Sequence, residues 1–283
     1  MVSKNRKKLK ENPPPVNGIC ALLGTEGKFA KSHIIPRALT EPTVKGERFI
    51  EAGRGGRPIR RFSSWYDTAL VTAEGEKILS EIDTAGIAEL RKHKLVWSGW
   101  QGKRKLKYAD YDIYPEPGSG IGIRKLSDVD AGKLRLFFLS ILWRSLRTSI
   151  KEFSYLPRDI VDTDKLREMI VHKDPGHHGY LPIMLDQIST LGTSHNYSPT
   201  LQEKIIERPG RDVNVRFFRI YMQGIVAHVH VDADEEFLTA MSPMIVGGKE
   251  DLILVARKFE KSWQYEAARH EMEEVSASWP GML

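Results

Sequence analysis

Two short segments of the sequence hold the residue types best suited to chemistry. His33 lies in segment 32–36, and Glu76 ends segment 70–76. An imidazole can exchange a proton near pH 7, and hard divalent cations bind carboxylate oxygens. Asp83 follows Glu76 by seven residues, which is two turns along the same face of a helix. These residue types at this spacing suit acid–base chemistry beside a metal ion.

The sequence SHIIP at 32–36, followed by LVTAEGE at 70–76, resembles the HNH, or ββα-metal, endonucleases. It is most similar to a group of HNH-like proteins from bacteria and phages, and the resemblance covers about residues 18–97. It implies that His33 is the general base acting on a water. It also implies that Glu76 holds one divalent ion, Mg²⁺ or Mn²⁺, with support from Asp83. Asp67 stands near the middle position of the HNH pattern and joins the expected catalytic set. The resemblance therefore predicts a metal-dependent DNA endonuclease.

The chain departs from that family at the zinc-binding cysteines. The family carries two C-x-x-C pairs, whereas the aligned positions here are Cys20, Leu23, Thr72 and Gly75. Because a tetrahedral zinc site needs four ligands, we expect no structural zinc, and we expect Leu23 and Val71 to replace it by apolar packing. An alternative stays open: a DNA-binding or regulatory protein that does not cleave. A third hypothesis is a protein-interaction factor carrying a relic module.

Basic charge is concentrated in the N-terminal part of the chain. Residues 1–110 hold 22 Lys and Arg against 12 Asp and Glu, a net charge of +10, whereas residues 111–283 hold 21 against 25, a net charge of −4. Basic side chains that displace counterions from phosphates supply most non-specific nucleic-acid affinity, so we expect nucleic acid as the partner. The resemblance to the HNH endonucleases implies DNA rather than RNA. The alternative is a tail and loop that are basic only for solubility. The residues expected to contact nucleic acid are Lys28, Lys31, Arg37, Arg54, Arg57, Arg60, Arg61 and Trp65.

The patterns along the chain predict an α+β protein, in which an N-terminal ββα module precedes a mixed helical and antiparallel β domain. We expect a disordered basic arm over 1–17, the HNH-like module over 18–97, a connector over 98–126 and the C-terminal domain over 127–283.

Apolar spacing places the elements within these regions. Two strands separated by a long loop are expected around 29–35 and 62–71, and a helix follows over 74–93. Ser127 and Asp130 have the form of a capping box that opens a strongly apolar helix. Further elements are expected over 164–172, 213–221, 225–231, 252–256 and 260–275. His228, His230 and Asp232 alternate along one of these segments, which suits either a metal site or a polar sheet edge.

Composition excludes several classes of protein. No apolar stretch approaches the ~20 residues that a membrane-spanning helix needs, and the basic N-terminus lacks the apolar core of a secretory signal. Cys20 is the one cysteine of the 283 residues, so no intrachain disulfide can form. These features predict a soluble, cytoplasmic protein with no membrane partner.

Overall fold

Helices and strands occur along the whole described chain, so the predicted α+β class is confirmed. The computed structural model describes residues 17–41, 49–52, 59–61, 64–115, 118–193, 195–208 and 210–278. The expected basic arm lies almost entirely outside these residues. The strands are β1 (Asn17–Ile19), β2 (Glu26–Lys28), β3 (Ser32–His33), β4 (Phe49–Ala52), β5 (Ile59–Arg61), β6 (Tyr66–Asp67), β7 (Ile121–Leu126), β8 (Ile183–Ile188), β9 (His195–Tyr197), β10 (Thr200–Arg208), β11 (Arg211–Met222), β12 (Ile225–His230) and β13 (Leu252–Arg257). The helices are α1 (Ala73–Lys92), α2 (Ala131–Arg147), α3 (Thr163–His172), α4 (Glu235–Met241) and α5 (Trp263–Ser278).

Two short antiparallel strand pairs precede the first helix. β1 pairs with β2, and β3 pairs with β6 so that Ser32 lies opposite Asp67 and His33 lies opposite Tyr66. The long loop between β3 and β6 contains β4 and β5, which pair with each other. β3 and β6 lie within the two strands expected around 29–35 and 62–71, but each is only two residues long.

Helix α1 matches the helix expected over 74–93. Its N-terminal turn carries Glu74 and Glu76, where the helix dipole favours carboxylates. Its buried stripe recurs at helical spacing and faces α2. At Gly86 the two helices come very close, because an added Cβ would lie 2.5 Å from the side chain of Phe137. The glycine therefore sets how closely α1 packs on α2.

A six-stranded sheet forms the other half of the structure. Its strand order is β10-β11-β12-β8-β13-β7, and every pair is antiparallel except β8 with β13. The expected connector over 98–126 is wrong for β7, which forms an edge of this sheet. One of the glycines that suggested a connector is needed inside this strand. At Gly122 an added Cβ would lie 2.7 Å from the carbonyl oxygen of Ile113, a residue that bridges to Ile123. Glycine at this point permits close backbone approach within a strand pair.

Helix α2 lies at the centre of the core, buried on nearly every side. Asp130 caps its N-terminus by accepting a hydrogen bond from the backbone N–H of Lys133 at 3.0 Å. The sequence predicted Ser127 as the N-cap of this helix, and that prediction is wrong: the N-cap is Asp130, three residues later. The backbone N–H of Asp130 in turn donates to Glu89 of α1 at 2.9 Å, which ties the start of α2 to α1.

One apolar core extends across the expected module and the expected C-terminal domain. It joins Leu22, Ile34 and Leu79 to residues of α2 and of the six-stranded sheet. β4 also pairs in parallel with β9, which adds a main-chain link between the two parts of the sequence. Among the described residues, no helix combines the length and the apolar character required to span a bilayer.

Candidate functional site

The four positions aligned with the family's zinc cysteines converge around the thiol of Cys20. Cys20 is fully buried, and its Sγ accepts hydrogen bonds from the backbone N–H groups of Leu23 and Thr72, each at 3.4 Å. An added Cβ at Gly75 would lie 2.8 Å from the same sulfur. Val71 is also fully buried here, in the apolar role expected for it. The turn after β1 and the start of α1 therefore meet at one point.

His33 ends β3 beside several cations. Its ring lies 6.0 Å from that of Tyr66 on the paired strand. Burial lowers the pKa of His33 to about 4, and the positive charges of Lys31, Arg37 and Arg144 act in the same direction. The imidazole is consequently neutral at pH 7, the protonation state that a general base would require.

Glu76 faces β3 from the first turn of α1. Burial raises the pKa of its carboxyl group, while the Ser32 hydroxyl and the charge of Arg144 oppose that rise. The Glu76 carboxyl group and the Ser32 hydroxyl are adjacent but do not form a well-aligned hydrogen bond. Glu76 Oε2 and Ser32 Oγ are both buried without a hydrogen-bond partner among the described residues. The structure therefore brings position 76 next to the strand end that carries His33.

Arg144 reaches this point from α2. Its side chain is 1% exposed and donates two hydrogen bonds to the Asp83 carboxylate, at 2.9 Å and 2.7 Å. It also donates to the carbonyl oxygen of His33 at 2.9 Å and to the Ser140 hydroxyl at 3.2 Å. Asp83 was expected to support a metal ligand. Because both of its oxygens bind the guanidinium instead, that expectation is corrected.

Sequence reasoning missed Arg144, although the sequence does contain a signal for it. Arg144 follows Trp143 in a helix whose residues are apolar on nearly every side. An arginine in such a helix is almost never fully buried unless it is paired. A search for an acidic partner on the neighbouring helix could therefore have found Asp83.

Asp67 anchors the end of α2. One of its carboxylate oxygens accepts the Thr148 hydroxyl at 2.6 Å and the backbone N–H of Ser149 at 3.3 Å. The other oxygen accepts the backbone N–H of Ala69 at 2.8 Å. The side chain is 6% exposed. These contacts replace the expected catalytic role of Asp67 with a structural one, joining β6 to the segment after α2.

The basic residues near His33 are exposed. Lys28 ends β2, and the ammonium group of Lys31 lies 3.8 Å from the centre of the Tyr66 ring. Arg37 forms an exposed ion pair with Glu41 at 2.7 Å. The backbones of Arg60 and Arg61 form part of β5, whereas the predicted contacts Arg54 and Arg57 lie outside the described residues.

Trp65 does not fit its predicted role as a stacking platform. Its side chain is 2% exposed and packs edge-on against Phe153, with ring centres 5.4 Å apart. A base could not reach either face of the indole, so the prediction is wrong for this residue. Trp65 forms part of the core that supports β6.

The histidines of β12 are not arranged as a metal site. His230 is buried against Phe217 and Phe237, and Asp232 accepts two hydrogen bonds from Arg216. Throughout the part of the chain that the structure describes, no three His, Cys, Asp or Glu side chains are grouped so that they could hold a metal ion.

The donor set around His33 does not fit the divalent ion that the resemblance implies. Mg²⁺ seeks about six oxygen ligands and is usually held through one or two carboxylates. Here the Asp83 carboxylate is neutralised by Arg144, and the pKa of the Glu76 carboxyl group is raised, which favours its protonated form.

Comparison of the chain with protein-family models, curated proteins and solved structures found no match.

Proposed function

We propose that this chain is a nucleic-acid-binding protein built on an HNH-like ββα module, in which a buried arginine takes the place predicted for the metal ion. The observation that carries the proposal is the Arg144 guanidinium, bonded to Asp83 and to the carbonyl of His33. A guanidinium supplies fixed positive charge, but it has no open coordination position at which a water could be activated. Arg144 thus holds β3 against α1. Because it cannot activate a water for cleavage, we infer that the module binds nucleic acid without cutting it.

The packing around Cys20 supports the relation to the HNH-like module. The turn after β1 and the first turn of α1 meet at the positions that align with the two cysteine pairs. In this chain buried Val71 and two sulfur-accepted hydrogen bonds occupy that junction. The hairpin can therefore hold its place on the helix through packing.

Charge supports nucleic acid as the ligand. Lys28, Lys31 and Arg37 are exposed and lie within ten residues of one another, on both sides of His33 in the sequence. Ammonium and guanidinium groups bind phosphate oxygens by charge-assisted hydrogen bonds. The excess of +10 over residues 1–110 adds attraction for a polyanion. We infer that the duplex backbone contacts the surface formed by these three residues.

The endonuclease is the second candidate function, and two observations favour it. His33, with its pKa lowered to about 4, is neutral at pH 7, which is the protonation state of a general base, but the same shift makes it a weak one. Glu76 has a buried oxygen with no hydrogen-bond partner among the described residues. This candidate requires Glu76 to hold an ion without Asp83, because both Asp83 oxygens are bound to Arg144.

The binding proposal is tested with the variant Lys31→Ala/Arg37→Ala. We expect fluorescence anisotropy with a labelled DNA duplex to show weaker binding at every salt concentration. The slope of log K against log salt should become shallower by about 1 for each phosphate that the variant no longer neutralises. Neither residue is buried, so the melting temperature should stay unchanged.

The matched control is Lys249→Ala/Arg269→Ala. It removes the same charge from exposed positions in the C-terminal half, and Arg269 is ion-paired with Glu266 as Arg37 is with Glu41. We expect the control to bind duplex nearly as the unmodified protein does. Equal weakening in the two variants would mean that net charge alone matters, and unchanged binding in both would overturn the proposed surface.

A further inference from the structure

A second basic surface lies far along the chain from His33. We define the 103–114 surface by its exposed cationic, aromatic and large apolar side chains: Lys103, Arg104, Lys105, Lys107, Tyr108, Ile113 and Tyr114. One exposed carboxylate, Asp112, lies among them. Tyr108 is 75% exposed, more than any other large hydrophobic residue of the described chain, and Tyr114 is 44% exposed. Exposed aromatic rings beside a run of cations require an explanation other than packing.

The surface is held rigidly by the chain beneath it. Leu106 is 5% exposed and packs with Trp97 and Trp100 in a small apolar cluster. Its backbone N–H donates to Ser189 at 3.0 Å, and the N–H of Leu191 donates to the Arg104 carbonyl at 2.7 Å. With Leu106 directed inward, its neighbours on both sides project outward. The exposure of these cations is therefore part of an ordered structure.

The cations of this surface are only weakly compensated by acidic groups. Four of the eight residues from 101 to 108 are Lys or Arg, and none is Asp or Glu. Two carboxylates of the adjoining segment already have partners: Asp110 binds the Lys94 ammonium and the backbone N–H of Lys107, and Asp112 accepts a hydrogen bond from the backbone N–H of Lys125. The ammonium groups of Lys103 and Lys107 lie close enough for the second to lower the pKa of the first. An anion bound between them would relieve that repulsion.

The aromatic rings form a platform beside these cations. Tyr108 and Tyr114 have ring centres 4.9 Å apart at an angle of 34°, and Tyr111 supports Tyr114 edge-on at 5.2 Å. An exposed ring fixed in this way can stack on a flat partner. Unpaired bases stack on aromatic side chains while adjacent cations follow the phosphates. Bases within a duplex are already stacked on each other and cannot use such a platform.

We propose that the 103–114 surface binds single-stranded nucleic acid, with Tyr108 and Tyr114 stacking on unpaired bases and Lys103, Arg104, Lys105 and Lys107 contacting the phosphates. The inference rests on the proposed nucleic-acid-binding function for the class of ligand, but its residues are separate from Lys28, Lys31 and Arg37. It assigns the full chain two contacts of different kinds, one for duplex and one for an unpaired strand.

The test measures binding of labelled oligothymidylate, about 20 nucleotides long, to the full chain by fluorescence anisotropy. We expect Tyr108→Ala/Tyr114→Ala to weaken binding about tenfold or more, and Tyr108→Phe/Tyr114→Phe to restore it, because the rings stack without their hydroxyls. Lys103→Ala/Lys107→Ala should weaken binding and reduce its salt dependence. Ile205→Ala, which trims another strongly exposed apolar side chain, is the control and should have no effect.

The outcomes distinguish this single-strand surface from the proposed duplex surface. If the tyrosine-to-alanine variant binds oligothymidylate like the unmodified protein, the 103–114 surface is not a base-stacking site, even where duplex binding depends on Lys31 and Arg37. If duplex binding is insensitive to Lys31 and Arg37 but the tyrosine variant no longer binds the oligonucleotide, only the duplex surface fails. Competition by polyglutamate as effective as that by unlabelled oligothymidylate would indicate an acidic protein partner and overturn the assignment.

Discussion

Replacing Arg144 with methionine is expected to lower the free energy of unfolding by about 3–5 kcal/mol, the range found when one partner of a buried ion pair is removed. The substitution leaves the Asp83 carboxylate without its two hydrogen bonds and the His33 carbonyl without its donor. Methionine nearly fills the space of the arginine stem, so the destabilisation arises mainly from the uncompensated polar groups. The measurement is the midpoint of urea unfolding followed by circular dichroism.

Two comparisons isolate the ion pair. Arg147→Met changes an exposed arginine one turn further along α2 and should alter stability by less than about 0.5 kcal/mol. Arg144→Met/Asp83→Leu removes both charges, and it should be more stable than Arg144→Met alone. An Arg144→Met protein as stable as the Arg147→Met control would contradict the role given to Arg144.

Acidification from pH 7 to pH 4.5 is expected to destabilise the fold by about 5 kcal/mol. The pKa is lowered to about 4 in His33, His195 and His230 and to about 3 in His228, in each case chiefly by burial. Below the ordinary histidine pKa near 6.5, the unfolded chain takes up protons that the folded chain does not. Stability is therefore present above about pH 6.5 and is lost as pH falls toward 4. His33, which is only partly buried, contributes less than the others. The carboxyl groups of Glu76 and Asp186 oppose the trend, because burial raises their pKa values.

His230→Phe tests this linkage at one residue. Both ring nitrogens of His230 are buried without a hydrogen-bond partner among the described residues, and its ring contacts Phe217 and Phe237. We expect the variant to be at least as stable at pH 7 and to lose less stability on acidification. His270→Gln, at an exposed position on α5, should leave the pH dependence unchanged. A urea midpoint that does not move between pH 7 and pH 4.5 would show that these imidazoles titrate normally.

The elements easiest to predict were those with strong helical periodicity. α1 and α2 follow from apolar residues at helical spacing, and the ends of α1 agree with the expectation to within a residue. β7 was missed because its glycine resembled a linker, although it permits the close approach of Ile113. β8 was missed because its apolar alternation is broken at Gln187, a buried polar residue that accepts a hydrogen bond from Arg124.

The candidate site was predictable only in part. The motif predicted Glu76 beside the strand end that bears His33, and in the structure Glu76 lies beside Ser32, the residue before His33. The motif alone could not show that Asp83 is paired with Arg144, because the two residues lie 61 positions apart in the sequence. The same limit applies to Trp65, whose aromatic type suggested stacking, whereas the fold packs it against Phe153. Pairings between distant elements depend on tertiary packing, which short motifs do not report.

The central claim is that Arg144, rather than a metal ion, organises the residues around His33. It is tested most directly by incubating supercoiled plasmid with the full chain and Mg²⁺ or Mn²⁺, and following both retention and nicking on a gel. We expect the plasmid to be retained at low salt, released as salt rises, and left supercoiled. Metal-dependent nicking that disappears in His33→Ala and in Glu76→Gln would contradict the claim and establish the endonuclease instead.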